Sequence, residues 1–230
     1  MKRLDETLKM LKDAAAEHDS IAVSYSAGKD SVAVMDLCVR SFRRVVGFHM
    51  YLVPGLECID RDLAEAEQRW KVQILQYPHP NLRESIKFGY FCNPRWTRDD
   101  LPPWKLKDVY SLVSLETGCR LIANGAKRAD SLQRRAYVGT LKGVLHPIAG
   151  WSQADVYAYM GLRRLPKSRT QMFSVMNGVD LSPPTLIWLH DNWPKDFEKI
   201  EEVFPFVRAV IKRRDWRGVP SPEAYGGKVA

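Results

Sequence analysis

Leu4, Leu8, Leu11 and Ala15 recur at helical spacing behind the acidic pair Asp5-Glu6, and predict a helix over residues 4–18. Ile21–Tyr25 is a short apolar, β-prone run and predicts the first strand. An amphipathic stretch, about Asp30–Phe42, predicts the next helix, and Val45–Leu52 the second strand, which Pro54-Gly55 breaks. A charged helix over Ile59–Trp70 and a third strand over Val72–Tyr77 follow. Residues 78–103 are rich in Pro, Asn, aromatics and Arg, and read as an irregular insertion of the lid or substrate-loop type. Lys105–Glu116 resumes a helix, Arg120–Ala123 is a short strand, and another strand leads to His146-Pro147. Helices are predicted over Ser152–Met160, Thr185–Asn192 and Lys195–Arg213.

Strands alternating with helices imply an α/β fold with a doubly wound, mostly parallel, Rossmann-like sheet. Ligands of such sheets sit at the carboxyl ends of the strands, near a topological switch. The expected organisation is an α/β domain over residues 1–165, a mainly helical C-terminal extension over 166–216, and a flexible tail over 217–230.

Composition narrows the class of ligand. The chain has 230 residues, 45% of them hydrophobic, enough for one substantial core. Lys+Arg exceed Asp+Glu by 35 − 27 = 8, which suits nucleotides, sulfated nucleotides or nucleic acid without separating them. No apolar run approaches the roughly 18–20 residues of a membrane span, and the charged N-terminus has no signal-peptide core. The expectation is a cytoplasmic protein without membrane partners. Cys38, Cys58, Cys92 and Cys119 form no C-x-x-C and match no zinc or ferredoxin spacing. Free thiols are expected, with no iron–sulfur cluster. Cys38 is placed in the core; Cys58 and Cys92 fall in predicted loops and are the better candidates for exposure.

The candidate chemistry concentrates in Ile21-Ala-Val-Ser-Tyr-Ser-Ala-Gly-Lys-Asp-Ser31. A strand ends in a small, polar turn and a helix begins at once. Backbone N–H groups of the turn and first helical turn lack intrahelical partners, and with the helix dipole they favour an anion. Ser26 and Ser31 add hydroxyls and Lys29 a cation. The order is not a Walker A loop, because Asp30 rather than Ser or Thr follows the lysine. It closely resembles the S-G-G-x-D-S loop of the PP-loop (N-type) ATP pyrophosphatases, with Ala27 standing where glycine is usual.

Two later segments resemble the phosphoadenylyl-sulfate (PAPS) reductase branch of those enzymes. Asn124–Arg135 is similar to a G-x-R-x-x-[EQ]-S-x-x-R segment, matching at Gly125, Arg128, Ser131 and Arg134. Lys127 replaces its first Arg and Asp130 its Glu or Gln. Leu145–Tyr159 resembles P-[LI]-x-x-W-[ST]-x-x-D-[VI]-[WY]-x-Y; physically, Ser152 is a sound N-cap and Val156, Tyr159 and Met160 face inward. Together the resemblance spans about residues 20–160.

The resemblance implies an adenine nucleotide alpha hydrolase-like fold, ATP (or PAPS or a related adenine nucleotide) and Mg²⁺ as cofactors, and cleavage between the α- and β-phosphates to adenylylate a substrate. It assigns nucleotide binding to Ser24, Tyr25, Ser26, Ala27, Gly28, Lys29, Asp30, Ser31, Met50, Tyr51, Gly125, Lys127 and Arg128. Catalysis would fall to Lys29, Asp30, Arg128 and Arg134, with Asp30 helping to hold Mg²⁺. The reductase reaction itself needs a thiolate, yet no cysteine lies beyond Cys119, so Cys58 or Cys92, or a separate protein, would have to serve. A non-catalytic nucleotide-binding module remains the other alternative. Partners implied are the nucleotide, a nucleic acid or a sulfur-donor protein, and a homo-oligomer is compatible with the chain. Trp188, His190, Trp193, Phe204, Phe206 and Trp216 lie near Lys212-Arg213-Arg214. They read either as a stacking surface for nucleic acid or as an aromatic satellite core.

Overall fold

The computed structural model describes residues 2–91, 100–166 and 180–217. Five strands, β1 (Ser20–Ser24), β2 (Arg44–Tyr51), β3 (Ile74–Pro78), β4 (Leu121–Ala123) and β5 (Val144–Leu145), lie in the order β3-β2-β1-β4-β5. Every pairing is parallel. The chain therefore builds outward from β1 on one side, then returns to β1's other edge at β4. Between β1 and β4 the connecting loops diverge and leave a crevice at the carboxyl ends.

Alternation along the strands produces two cores. Ile21 and Val23 of β1 and Leu121 and Ala123 of β4 belong to one hydrophobic cluster; Ala22 and Ile122 belong to the other. The first cluster takes in α1 (Lys2–Glu17), α2 (Lys29–Val39), α3 (Glu57–Trp70) and α7 (Gln153–Arg163). The second is closed by α5 (Leu106–Thr117), whose Val109, Tyr110 and Val113 are buried against Val46 and Phe48. Two short helices, α4 (Pro80–Phe88) and α6 (Leu132–Tyr137), follow β3 and β4.

The C-terminal helices α8 (Pro183–Asn192), α9 (Pro194–Val203) and α10 (Arg208–Arg217) are part of the main core. Leu186, Trp188, Leu189, Phe197, Ile200, Phe204 and Val207 share one cluster with the sheet residues Ile21 and Val23. The aromatic residues here therefore do not form a satellite core. Trp188 and Phe204 are buried, while Phe206 and Trp216 are exposed. Arg214 is tied to Asp191 at 2.7 Å, and Arg61 lies over the Trp193 ring at 5.1 Å.

A buried polar bracket fastens α7 to α2. Asp36 accepts from the Tyr159 hydroxyl at 2.7 Å and Arg163 Nε at 3.1 Å, and Trp70 of α3 donates to its other oxygen at 3.4 Å. Ser152 caps α7 in a reciprocal capping box with Asp155, as its sequence predicts. Trp151 donates its indole N–H to Thr7 and stacks edge-on against Tyr159.

Two expectations are corrected. Residues 80–88 are helical, not irregular: His79 caps α4, Pro80 occupies its first turn, and Gly89 ends it at φ 64°. Proline costs nothing at a first helical position, where its missing N–H has no partner in any case. The helix expected over Lys195–Arg213 is two helices, because Pro205 holds Phe204 at φ −128°, ψ 76° and a 3₁₀ turn intervenes. The remainder of the insertion, residues 92–99, and the tail from 218 lie outside the described residues.

Candidate functional site

The loops after β1, β2 and β4 all open at the carboxyl edge of the sheet. The β1–α2 loop is braced from inside. Ser31 Oγ donates to the Gly28 carbonyl at 2.8 Å and accepts from the Ser26 N–H at 3.2 Å. His49 is buried; its Nδ1–H donates to the Tyr25 carbonyl at 3.0 Å, and burial pushes its imidazole down, keeping it neutral. Ala27 adopts φ 58°, the left-handed region, which costs an L-residue about 1–2 kcal/mol. Its side chain is packed in the core, which offsets part of that cost and keeps the methyl out of the crevice lining.

The β4–α6 loop approaches the start of α2 so closely that any side chain at 125 would crowd Asp30. A Cβ there would stand 3.0 Å from Asp30 Cβ and 3.1 Å from the Asp30 carbonyl carbon. Gly125→Ala is expected to push the two loops apart at a cost of about 1–3 kcal/mol. A thermal melt and a nucleotide titration should both register the change.

This approach builds an ion-pair ladder across the switch point. Lys29 Nζ lies 3.1 Å from Asp30 Oδ2, and Lys127 Nζ lies 2.7 Å from Asp30 Oδ1 and 3.2 Å from Asp130. Arg134 closes the ladder on Asp130 at 2.7 Å. The two departures from the resembled segment, Lys127 and Asp130, thus face each other. Burial would raise the Asp130 carboxyl, but Lys127 and Arg134 outweigh it and hold it below the usual carboxylate range. Three cations against two carboxylates leave one positive charge beside the α2 N-terminus.

The crevice itself is a cavity of about 820 Å³, within the range of small-molecule sites. Ser24, Tyr25, Ser26, Lys29, Asp30, Met50, Tyr51 and Arg134 all line it. Its floor and far wall include Leu52, Val53 and Leu56 of the β2–α3 loop, His79 and Asn81 at the start of α4, and Ile200 of α9. His79 Nδ1 accepts from the Asn81 N–H at 2.9 Å, and burial lowers its pKa as well.

A solved structure with this architecture is the NH3-dependent NAD synthetase from Campylobacter jejuni subsp. jejuni NCTC 11168, in complex with the nitrate ion. It matches with a TM-score of 0.51 at 10% identity, over 95% of this chain and 96% of that one. The chain shares its α/β fold with that structure. Other matches are the U34-tRNA thiolase NcsA from Methanococcus maripaludis with its [4Fe-4S] cluster, and the PAPS reductase from Candida auris in a phosphate complex. The first has a TM-score of 0.49 at 15% identity, covering 90% of this chain and 80% of that one. The second has a TM-score of 0.48 at 14% identity, covering 75% and 87%. No protein-family model and no curated protein matches the sequence.

Within this fold the expected site residues divide. Ala27, Gly28 and Ser31 shape the β1–α2 loop from behind, and Gly125 and Lys127 approach through Asp30. Arg128 lines a different cavity, on the other side of its loop. Asp30 does not fit a magnesium ligand as arranged: it is buried, and both its oxygens face lysine ammonium groups. Among the described residues no group of three or more His, Cys, Asp or Glu side chains is placed to hold a metal.

Cys58 is also corrected. It lies in the first turn of α3, fully buried, and burial pushes its thiol up, the opposite of a reactive thiolate. Cys38 is buried as expected, and Cys119 is buried too; Cys92 lies outside the described residues.

Sequence reasoning missed His49, His79, Asn81 and everything the C-terminal helices supply. Asp196 of α9 is the clearest case. Its carboxylate, almost wholly buried, accepts from the backbone N–H groups of Glu57 at 2.8 Å and Cys58 at 2.9 Å. The positive end of α3, a second natural anion site at the crevice, is thereby filled by the protein's own carboxylate. Lys199 donates to the Gly55 carbonyl beside it. No local signal links residue 196 to residue 57.

Proposed function

We propose that this chain is a PP-loop enzyme that binds ATP, or a related adenine nucleotide, in the 820 Å³ cleft and adenylylates an acceptor. The observation that carries the reading is the ion-pair ladder, which aims Lys29 and Arg134 into the cleft beside the α2 N-terminus. The pyrophosphate would lie on the N–H groups of the loop and first turn of α2, with the Ser26 hydroxyl and the Lys29 ammonium. Ser31 and Gly28 hold that loop in shape. Asp30 keeps Lys29 and Lys127 in register, ready to be turned onto phosphate oxygens. The adenine fits the wall of Met50, Tyr51, Leu52, Val53 and Leu56. An acceptor nucleophile attacks the α-phosphorus, the bond from it to the bridging oxygen breaks, and pyrophosphate leaves. Arg134, which lines the cleft, would stabilise the charge that develops there, a role the sequence offered to Arg128 and Arg134 together.

The acceptor we favour is a nucleobase or a small molecule, with a sulfur-donor protein as a further partner where sulfur is inserted. Phe206 and Trp216, with Lys212 and Arg213, are the exposed aromatic and basic groups left for stacking a nucleic acid. Sulfonucleotide reduction has no thiolate to run on among the described residues, because Cys38, Cys58 and Cys119 are buried.

Calorimetric titration of the protein with ATP as its magnesium salt, AMP, pyrophosphate and PAPS tests the reading. ATP is expected to bind best, with pyrophosphate competing. Preference for PAPS would replace ATP by a sulfonucleotide, and no binding of any of the four would end the proposal.

A further inference from the structure

The cavity that receives Arg128 is separate from the nucleotide cleft and shares no lining residue with it. It measures about 370 Å³ and lies between α1 and the segment from β5 to Trp151. Met10, Val138, Leu145 and Trp151 give it an apolar wall. That wall is rigid: the buried Thr7 hydroxyl donates to the Pro147 carbonyl at 2.8 Å and accepts from the Trp151 indole at 3.0 Å. The loop carrying Arg128 is fixed to the same segment, because the Arg128 N–H donates to the Ala149 carbonyl at 2.9 Å. His146 Nδ1 and Asn124 Oδ1, 2.7 Å apart, join them again behind it.

The charges here are unequal in their commitments. Arg3 and Arg128 supply two guanidinium groups against one carboxylate, Glu6. Arg3 is already bound to Asp155. Among the described residues Arg128 makes no ion pair, although the next residue back, Lys127, makes two. An exposed arginine, its backbone fixed at the rim of an apolar wall and its neighbour turned the other way into the ladder, has the make-up of a carboxylate site.

We propose that this cavity binds a small organic carboxylate with an apolar body, the carboxylate on Arg128 and the body against Trp151, Leu145 and Met10. The site is independent of the ATP reading, since no cleft residue takes part.

Benzoate is the probe, followed by ligand-observed NMR and calorimetry on the full chain. Benzamide tests the charge, and acetate tests the apolar body. Benzoate is expected to bind in about the millimolar range, as suits a fragment of its size, and benzamide and acetate about tenfold more weakly. Arg128→Gln should weaken benzoate about tenfold or more. Gly150→Leu adds bulk at the cavity lining without backbone strain, because a Cβ there meets no atom within 4 Å, and should weaken it similarly. Lys29→Ala should leave benzoate binding unchanged while ATP binding falls. The proposal is overturned if wild type does not bind benzoate, if benzamide binds as well, or if neither Arg128→Gln nor Gly150→Leu weakens it. Loss of benzoate in Lys29→Ala would overturn it too, by placing the probe in the nucleotide cleft. Failure of ATP to bind with benzoate retained would overturn only the nucleotide reading.

Discussion

Replacing Lys29 with Ala is expected to lower ATP affinity and any adenylyl transfer by about 100-fold or more, while the protein stays folded. Lys29 is the cation at the mouth of the β1–α2 loop, and it lines the cleft with Arg134. Its ammonium lies 3.1 Å from Asp30, close enough to exchange that carboxylate for a phosphate oxygen without moving the backbone. Folding should survive because Asp30 keeps the shorter pair, Lys127 at 2.7 Å, so no buried carboxylate is left without a cation. Lys29→Met, which keeps the stem and loses the charge, should behave like Lys29→Ala. Calorimetry for affinity and a thermal melt for stability decide the matter. Full ATP binding in either variant would remove the loop from the mechanism.

Asp196→Ala should produce the largest loss of stability among the polar substitutions considered. Two consecutive backbone N–H groups at the start of α3 would lose charge-assisted partners at 2.8 and 2.9 Å in a site closed to water. A cap is worth about 1 kcal/mol and a hydrogen bond to a charged group about 1.5–3, so a loss of about 3 kcal/mol is expected. For a chain of this size that lowers the melting temperature by about 10 °C. Nucleotide affinity should fall as well. Leu56 and Ile200, which flank the Asp196 contact, both line the cleft, and Lys199 holds the Gly55 carbonyl in the same loop. Asp196→Asn keeps one acceptor oxygen and should lose about half as much. A thermal melt of the three proteins measures this, and a shift below about 2 °C in Asp196→Ala would mean that α3 needs no cap from α9.

Local pattern determined most of the sheet and the β1–α2 loop. The strand at Ile21–Tyr25, the helix after it and the strand at Arg120–Ala123 were legible because each is written within a dozen residues. Apolar periodicity, a polar turn and a helix start are properties of neighbours along the chain. The capping box of Ser152 and Asp155 and the inward positions of Val156, Tyr159 and Met160 were legible for the same reason. Helix α4 was missed although its signals, Pro80 and Gly89, are local; a composition rich in Pro and Asn outweighed their positions.

Only the tertiary structure decided how the pieces meet. It placed Gly125 against Asp30, turned Lys127 toward the cleft's ladder and Arg128 toward another cavity, and closed the end of α3 with a carboxylate from α9. It also buried Cys58, which the sequence left in a loop. Lys127 and Arg128 are neighbours with the same charge, so nothing in their order separates their roles. Their directions follow from which loop packs on which strand end, and that is set by the switch between β1 and β4. Composition set the sign of the chain's own charge, because charge is a sum over residues. The identity of the groups that touch a ligand depends on pairs of residues about 100 or more positions apart, and those pairs exist only once the two cores have closed around the sheet.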